Sequence, residues 1–238
     1  MLLAFIDETS DAKFRAYFGL CCATINSNFY RQIKDDFQCI LINSGWNPNV
    51  EFKGSYLFSA LSGNTNVSIE KRIEITSAIL ALNTSKQNAR MKFIYLKKTS
   101  QKQKEAYLKY LPVLLEKALP KAQKRAGKDI LSLHCDHRDD ITPREIYDSV
   151  IPIVRKRGYT LLEDIVISRS GFHTVGILYA DIVGYLYARV DTIANDSDLF
   201  QHVPPEQWEN NGKIKKLKSS TTLLGLIKKF DQYEVVVK

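Results

Sequence analysis

The sequence predicts one α/β domain over residues 1–238, a buried sheet covered by helices. Three observations predict it. Leu2-Leu-Ala-Phe-Ile6 is apolar at five consecutive positions, the pattern of a strand buried on both faces. Short apolar runs of this kind share the chain with longer stretches whose apolar residues recur every three or four positions, the period of an amphipathic helix. Two of the runs end on acids, at Asp7-Glu8 and at Asp136, and open α/β sheets place their ligand crevice outside the carboxyl ends of the strands.

In chain order, Asp11 to Lys13 form a turn, and Phe14 to Ile25 form a second strand antiparallel to the first. Phe29, Ile33, Phe37 and Ile40 then mark a helix that stops at the Asn43-Ser-Gly45 breaker. Trp46 to Ser55 has no period; if it is extended, Glu51 and Lys53 point the same way. A loop at Ser62-Gly-Asn-Thr-Asn66 precedes a helix from Ser68 to Leu82, with Ile69, Ile73, Thr76 and Leu80 on one side, and Met91 to Leu96 is a strand. From Gln101 the chain is helical and basic, with Tyr107, Leu108, Leu111, Leu114, Leu115, Ala118 and Leu119 as its apolar stripe. Pro112 and Pro120 each remove a helix hydrogen bond, so kinks or short consecutive pieces are expected.

Asp129 to Asp136 is a strand. The next helix carries the full set of start and stop signals: Thr142 as N-cap, Pro143 at the first position, Glu145 closing a capping box, and Gly158 past the end. Thr160 to Ser168 is a further strand, and after the Arg169–His173 loop a helix runs from Thr174 to about Ala194. Residues 196–220, broken by Pro204-Pro205 and Asn210-Asn-Gly212, are expected as an exposed insertion. A short helix over Thr222–Phe230 and a short strand over Tyr233–Val237 complete the chain.

Composition narrows the class. Apolar residues at 45% and charged residues at 25% are ordinary for a soluble protein, and no apolar run approaches the roughly 20 residues of a membrane helix. The Met-Leu-Leu-Ala-Phe start lacks the basic region of a secretory signal, so a cytoplasmic protein is expected. Cys21, Cys22, Cys39 and Cys135 show no metal-site spacing and read as small core hydrophobes. His134, Cys135 and His137 do not make a zinc site, because one strand cannot turn such near neighbours onto a single ion. The formal charge of +8 is concentrated: between Lys97 and Lys128 ten Lys or Arg face only Glu105 and Glu116. Lys109, Lys117, Lys121, Lys124, Arg125 and Lys128 belong to this surface, which suits a polyanion such as a nucleic acid and equally reads as a solvated helix face.

One residue of the Thr174 helix does not fit its surroundings. Gly176, Ala180, Gly184 and Ala188 form a small-residue stripe that allows close packing on a sheet. Beside it Asp181 lies among Ile177, Leu178, Ile182 and Tyr185, where an unpartnered charge costs several kcal/mol. Asp7, Asp136 and Asp181, with Glu51 as a fourth, therefore form a candidate carboxylate cluster. Carboxylates without His or Cys suit hard cations, Mg²⁺ or Mn²⁺, and two such ions support in-line phosphodiester displacement. The same residues also admit a plainer arrangement, with Asp7 and Asp136 turned to solvent and Asp181 paired with Lys or Arg. His137 and His173 are weaker candidates for proton transfer; Ser168 and Ser170 have no His-Asp partner in register, and no Gly-rich phosphate loop is present.

Phe5-Ile-Asp-Glu-Thr-Ser10, Glu51-Phe-Lys-Gly54, the strand ending at Asp136, and Gly176-Ile-Leu-Tyr-Ala-Asp181-Ile-Val-Gly184 resemble, in that order, the motifs of the family called domain of unknown function 3800. That family looks like a branch of the ribonuclease-H-like superfamily. The resemblance implies a mixed sheet, antiparallel at its start and then parallel, flanked by helices, with a carboxylate cluster binding two metal ions. It implies Asp7, Glu51, Asp136 and Asp181 as ligands, Glu8 as a supporting acid and Lys53 as a phosphate or transition-state contact. This chain departs from the family at Thr9-Ser10, where Ser-Gly is usual, and at Leu178, where Gln commonly stands. A metal-dependent nuclease is the first expectation. The second is a catalytically inactive component of a mobile-element or defence system that binds nucleic acid or partner proteins; the third is a phosphohydrolase acting on small esters, which has no use for the basic helix. Oligomeric state is not indicated.

Overall fold

The computed structural model describes residues 1–10, 17–46, 69–82, 89–97, 102–123, 128–169 and 174–195. Glu51, Lys53, the 62–66 loop, Lys124, Arg125, Ser170, His173 and everything after Asn195, including the expected insertion at 196–220 and the helix and strand beyond it, lie outside these residues.

Among the described residues six strands make one sheet: β1 (Leu2–Ser10), β2 (Tyr17–Asn26), β3 (Ala89–Lys97), β4 (Ile130–Asp136), β5 (Thr160–Leu161) and β6 (Val166–Ser168). Their order is β3-β2-β1-β4-β5, with β6 also on β4. The pairs β1–β2 and β2–β3 are antiparallel, and β1–β4, β4–β5 and β4–β6 are parallel. This is the mixed sheet expected, antiparallel at its start and parallel after. β1 lies between β2 and β4, and helices cover both of its faces, which explains why it is apolar on both.

The helices are α1 (Ser27–Asn43), α2 (Ile69–Ala81), α3 (Gln103–Ala118), α4 (Pro143–Lys156) and α5 (Val175–Asn195). Alternation along β1 divides them into two layers. Ala4 and Ile6 face α3 and α4 in a core with Phe18, Leu20, Leu111, Leu133 and Val150. Leu3 and Phe5 face α1, α2 and α5 in a core with Phe37, Leu41, Ile79 and Val183.

Several local expectations are corrected. The buried face of α1 is Ile33, Phe37 and Leu41, whereas Phe29 is 38% exposed, because the helix meets the sheet on one narrow stripe. In α2 Ile75, Thr76 and Ile79 are turned inward; Thr76 belongs to the expected face, and the side chains of Ile69, Ile73 and Leu80 lie outside those described. α3 passes through Pro112 unbroken; that position is half-buried at the outer surface, where the carbonyl it leaves unpaired can meet water. The helix stops at Ala118, with an extended Leu119 ahead of Pro120, so Lys121 is outside it. The strand expected over Thr160–Ser168 is two pieces, β5 and β6, on successive lengths of β4, and Leu162 between them is half exposed.

α4 forms as its signals predict. Glu145 N–H donates to Thr142 Oγ1 at 3.3 Å, and Thr142 N–H donates to Glu145 Oε2 at 3.0 Å. Gly158 follows with φ +84°, a conformation that strains residues carrying a Cβ.

Candidate functional site

The site is built from strand alternation and register. Asp7 is two residues past Phe5 on β1 and takes its side of the sheet, facing α5; it is 6% exposed. On β4 the ring of His134 stacks on Phe5, 4.9 Å between centroids, so Asp136 also faces α5. The parallel register pairs Phe5 with His134 and Ile6 with Cys135. One step further, Asp7 and Asp136 stand on neighbouring strands that are roughly 4.8 Å apart, with their side chains on the same face.

α5 brings the third acid. A Cβ on Gly176 would come within 2.3 Å of the Phe5 ring, and one on Gly184 would meet Thr9 Cγ2 at 3.5 Å. The helix therefore runs along β1 in the same direction. Eight helical residues rise about 12 Å while four strand residues rise about 13 Å, so the two elements keep step. Asp181, about 7.5 Å beyond Gly176 along the helix, comes level with Asp7, about 6.6 Å beyond Phe5 along the strand. Electrostatics agree: burial first, then the charges of Asp181, Glu8 and Asp136, hold the Asp7 carboxyl well above the usual carboxylate range. The Glu8 N–H donates to Asp7 Oδ1 at 2.8 Å and works in the opposite direction.

Glu8 points to the other side of the sheet, where it meets a residue that sequence reasoning missed. Arg138 Nη1 donates to Glu8 Oε1, and its Nε and Nη2 donate to Asp140 Oδ1 and Oδ2, both at 3.0 Å. The guanidinium lies 5.2 Å from the centre of the Tyr107 ring, and the Arg138 side chain is 6% exposed. Burial pushes Glu8 up to about 7 although Arg138 pulls it down, and Asp136 adds to the rise. The available signal was Arg138 itself, two residues past Asp136, but a loop has no period to say where it points.

Of the expected site residues, Asp7, Glu8, Asp136 and Asp181 are brought into one electrostatic neighbourhood, with Glu8 on the opposite side of the sheet from Asp7. His137 is exposed, its Nδ1 3.7 Å from Asp139 Oδ1. Leu178 is fully buried in the α5-side core, so the position at which the family resemblance implied Gln faces apolar packing. Lys109, Lys117, Lys121 and Lys128 are exposed. Lys104 pairs with Glu145 at 2.7 Å and Lys156 with Glu116 at 2.7 Å, so α3 and α4 lie parallel, both starting at the acid end and both running away from it. Lys117, Lys121 and Lys128 are thus at the far end of the sheet.

The donor types suit a hard cation: all are carboxylates, and the buried Asp7 sits among three more acids. Arg138, the cation placed against Glu8, is also engaged by Asp140. Among the described residues no three His, Cys, Asp or Glu side chains close around a single ion position.

No helix among the described residues is long and apolar enough to cross a membrane. No protein-family model matches the chain, and no curated protein matches it. Solved structures similar in fold include two ribonucleases. The ribonuclease H2 of Pyrococcus horikoshii OT3 is 10% identical with a TM-score of 0.42, over 94% of this chain and 99% of that one. The PCNA:RNase HII complex of Archaeoglobus fulgidus contains a chain 12% identical with a TM-score of 0.44, over 86% of this chain and 81% of that one. Both likenesses are low, and the fold assignment rests on the strand order and directions given above.

Proposed function

We propose that the protein is a divalent-metal-dependent nuclease acting on the phosphodiester backbone of nucleic acid. The observation that carries the reading is the meeting of Asp7, Asp136 and Asp181, from two parallel strand ends and a helix laid along one of them. A buried carboxylate with like charges around it is costly unless a cation relieves it. Asp7, Asp136 and Asp181 would hold Mg²⁺ or Mn²⁺, as two ions with Glu51 as a fourth ligand; bound there, the metal supplies charge stabilisation at the scissile phosphate and an activated water.

The chain's own residues supply orientation. Asp7 is fixed by the Glu8 N–H and by burial under α5. Glu8 is held by Arg138 on the other side of the sheet, which balances part of the cluster's charge without placing a cation beside Asp7. Lys53 is assigned a phosphate contact by the same family resemblance that supplies Glu51. Asp7→Asn and Asp181→Asn, assayed with Mn²⁺ on labelled single-stranded, duplex and hybrid oligonucleotides, should each remove cleavage while leaving the fold intact. Unchanged cleavage by both variants would overturn the reading.

A second reading, a catalytically silent nucleic-acid or partner-binding protein, is favoured by one observation: the described acids do not close around an ion position. It predicts no Mn²⁺-dependent rise in Tm and binding that is indifferent to Asp181→Asn.

A further inference from the structure

The two parallel helices α3 and α4 carry their charge unevenly along their length. At the acid end, Lys102, Lys104, Lys109, Arg138 and Arg144 face Glu105, Asp139, Asp140, Glu145 and Asp148, five charges of each sign. Three of these cations are tied to acids: Lys104 to Glu145, Arg144 to Asp148, and Arg138 to Glu8 and Asp140. At the far end, Lys117, Lys121, Lys128, Arg155, Lys156 and Arg157 outnumber Glu116 and Asp129.

The far-end residues form one surface. Lys156 Nζ lies 2.7 Å from Glu116 Oε1, and Arg157 donates to the Glu116 carbonyl. Ala122 N–H donates to the Arg157 carbonyl at 2.9 Å, Thr160 N–H to the Asp129 carbonyl at 2.8 Å, and Lys128 Nζ to Gln123 Oε1 at 3.2 Å. The ends of α3 and α4 and the start of β4 are thereby stitched together, with Lys117, Lys121, Lys128, Arg155 and Lys156 exposed.

We infer that this far-end surface is a docking handle for the backbone of double-stranded nucleic acid, set apart from the acid cluster. Two independent rulers give the separation. Lys104 to Lys117 is thirteen helical residues, about 20 Å, and Ile130 to Asp136 is six strand steps, also about 20 Å. At roughly 3.4 Å per base pair that distance is about six base pairs, so a substrate must be at least that long to touch both places. A duplex is the occupant the chemistry fits. Unpaired bases are held by aromatic platforms, whereas the large apolar residues exposed among the described ones are Phe29, Ile42 and Leu162, with no aromatic in this surface. Point charges spaced over rigid ends of helices suit the regular phosphates of a duplex.

The inference rests on the nucleic-acid reading above, and its test separates the two. The full chain in chelator is titrated with a fluorescein-labelled, mixed-sequence DNA duplex of about 20 base pairs and with the matching single strand, at several salt concentrations. The variant K117A/K121A/R155A should lose about tenfold or more in duplex affinity, and its salt slope should fall by roughly 0.9 for each cation removed. The control K102A/R144A, from the charge-balanced end, should bind nearly as wild type. Equal losses in both variants, no loss in either, or tighter binding of the single strand would overturn the handle. The same duplex, its single strand and an RNA–DNA hybrid are then incubated with Mn²⁺: far-end-dependent binding with none of them cleaved sinks the nuclease reading and leaves the handle standing, and cleavage with binding indifferent to the far-end variant does the reverse.

Discussion

Gly176 lies on the ring of Phe5, where a methyl group would come within 2.3 Å of Cγ. The ring cannot easily yield, since it packs against both Tyr30, 5.5 Å away, and His134, 4.9 Å away. This contact sets the height of α5 over β1 and with it the approach of Asp181 to Asp7.

Gly176→Ala should therefore destabilise the protein by about 1–3 kcal/mol, the usual cost of overpacking, measured by denaturant unfolding. Gly184→Ala is the contrast: its added Cβ meets Thr9 at 3.5 Å, an ordinary contact, so the gain in helix propensity should leave stability unchanged or raised by up to about 1 kcal/mol. Equal losses at the two positions would show that the helix is not seated on Phe5.

Arg138 is the residue whose removal should hurt most. Arg138→Met leaves Glu8 buried without its cation, which typically costs 3–5 kcal/mol. Adding Glu8→Gln to that variant removes the stranded charge and should recover more than half of the loss. A double variant no better than the single one would place the damage in the β4–α4 loop rather than in the pair.

The pH dependence follows from the direction in which the buried acids move. Asp7 is raised above its ordinary 3.8 and Glu8 from 4.5 to about 7, so both bind protons more tightly folded than unfolded. Their contribution to stability is complete below those ordinary values and is lost as pH rises through the folded ones. In chelator, Tm should fall between about pH 4.5 and pH 8, and Mn²⁺ should reduce the fall because it competes with the proton for the same oxygens. Asp7→Asn should raise Tm in chelator at about pH 8, by a few degrees for a relief on the order of 2 kcal/mol, and should abolish the response to Mn²⁺. A flat Tm profile in chelator would contradict the clustering of these acids.

Thr142→Ala removes the hydroxyl that accepts from the Glu145 N–H, and should cost about 1 kcal/mol in thermal or denaturant unfolding. Because the capping box opens the helix that follows Arg138, the loss should be larger than at an exposed Thr outside a cap.

By itself the sequence determined what is local: the central strand apolar on both faces, the caps of α4, the small-residue stripe of α5, and the acids at the ends of β1 and β4. Each is encoded by neighbours a few residues apart, through side-chain period, capping and backbone preference. Period two along β1 puts Asp7 and Glu8 on opposite sides of the sheet. The tertiary structure alone decided that Ile6 pairs with Cys135 and so brings Asp7 beside Asp136, that Arg138 turns back to Glu8 across 130 residues, and that the basic ends of α3 and α4 point away from the acids. Strand register, loop direction and helix polarity are settled by burying both faces of one sheet at once, a condition that no short stretch of chain contains.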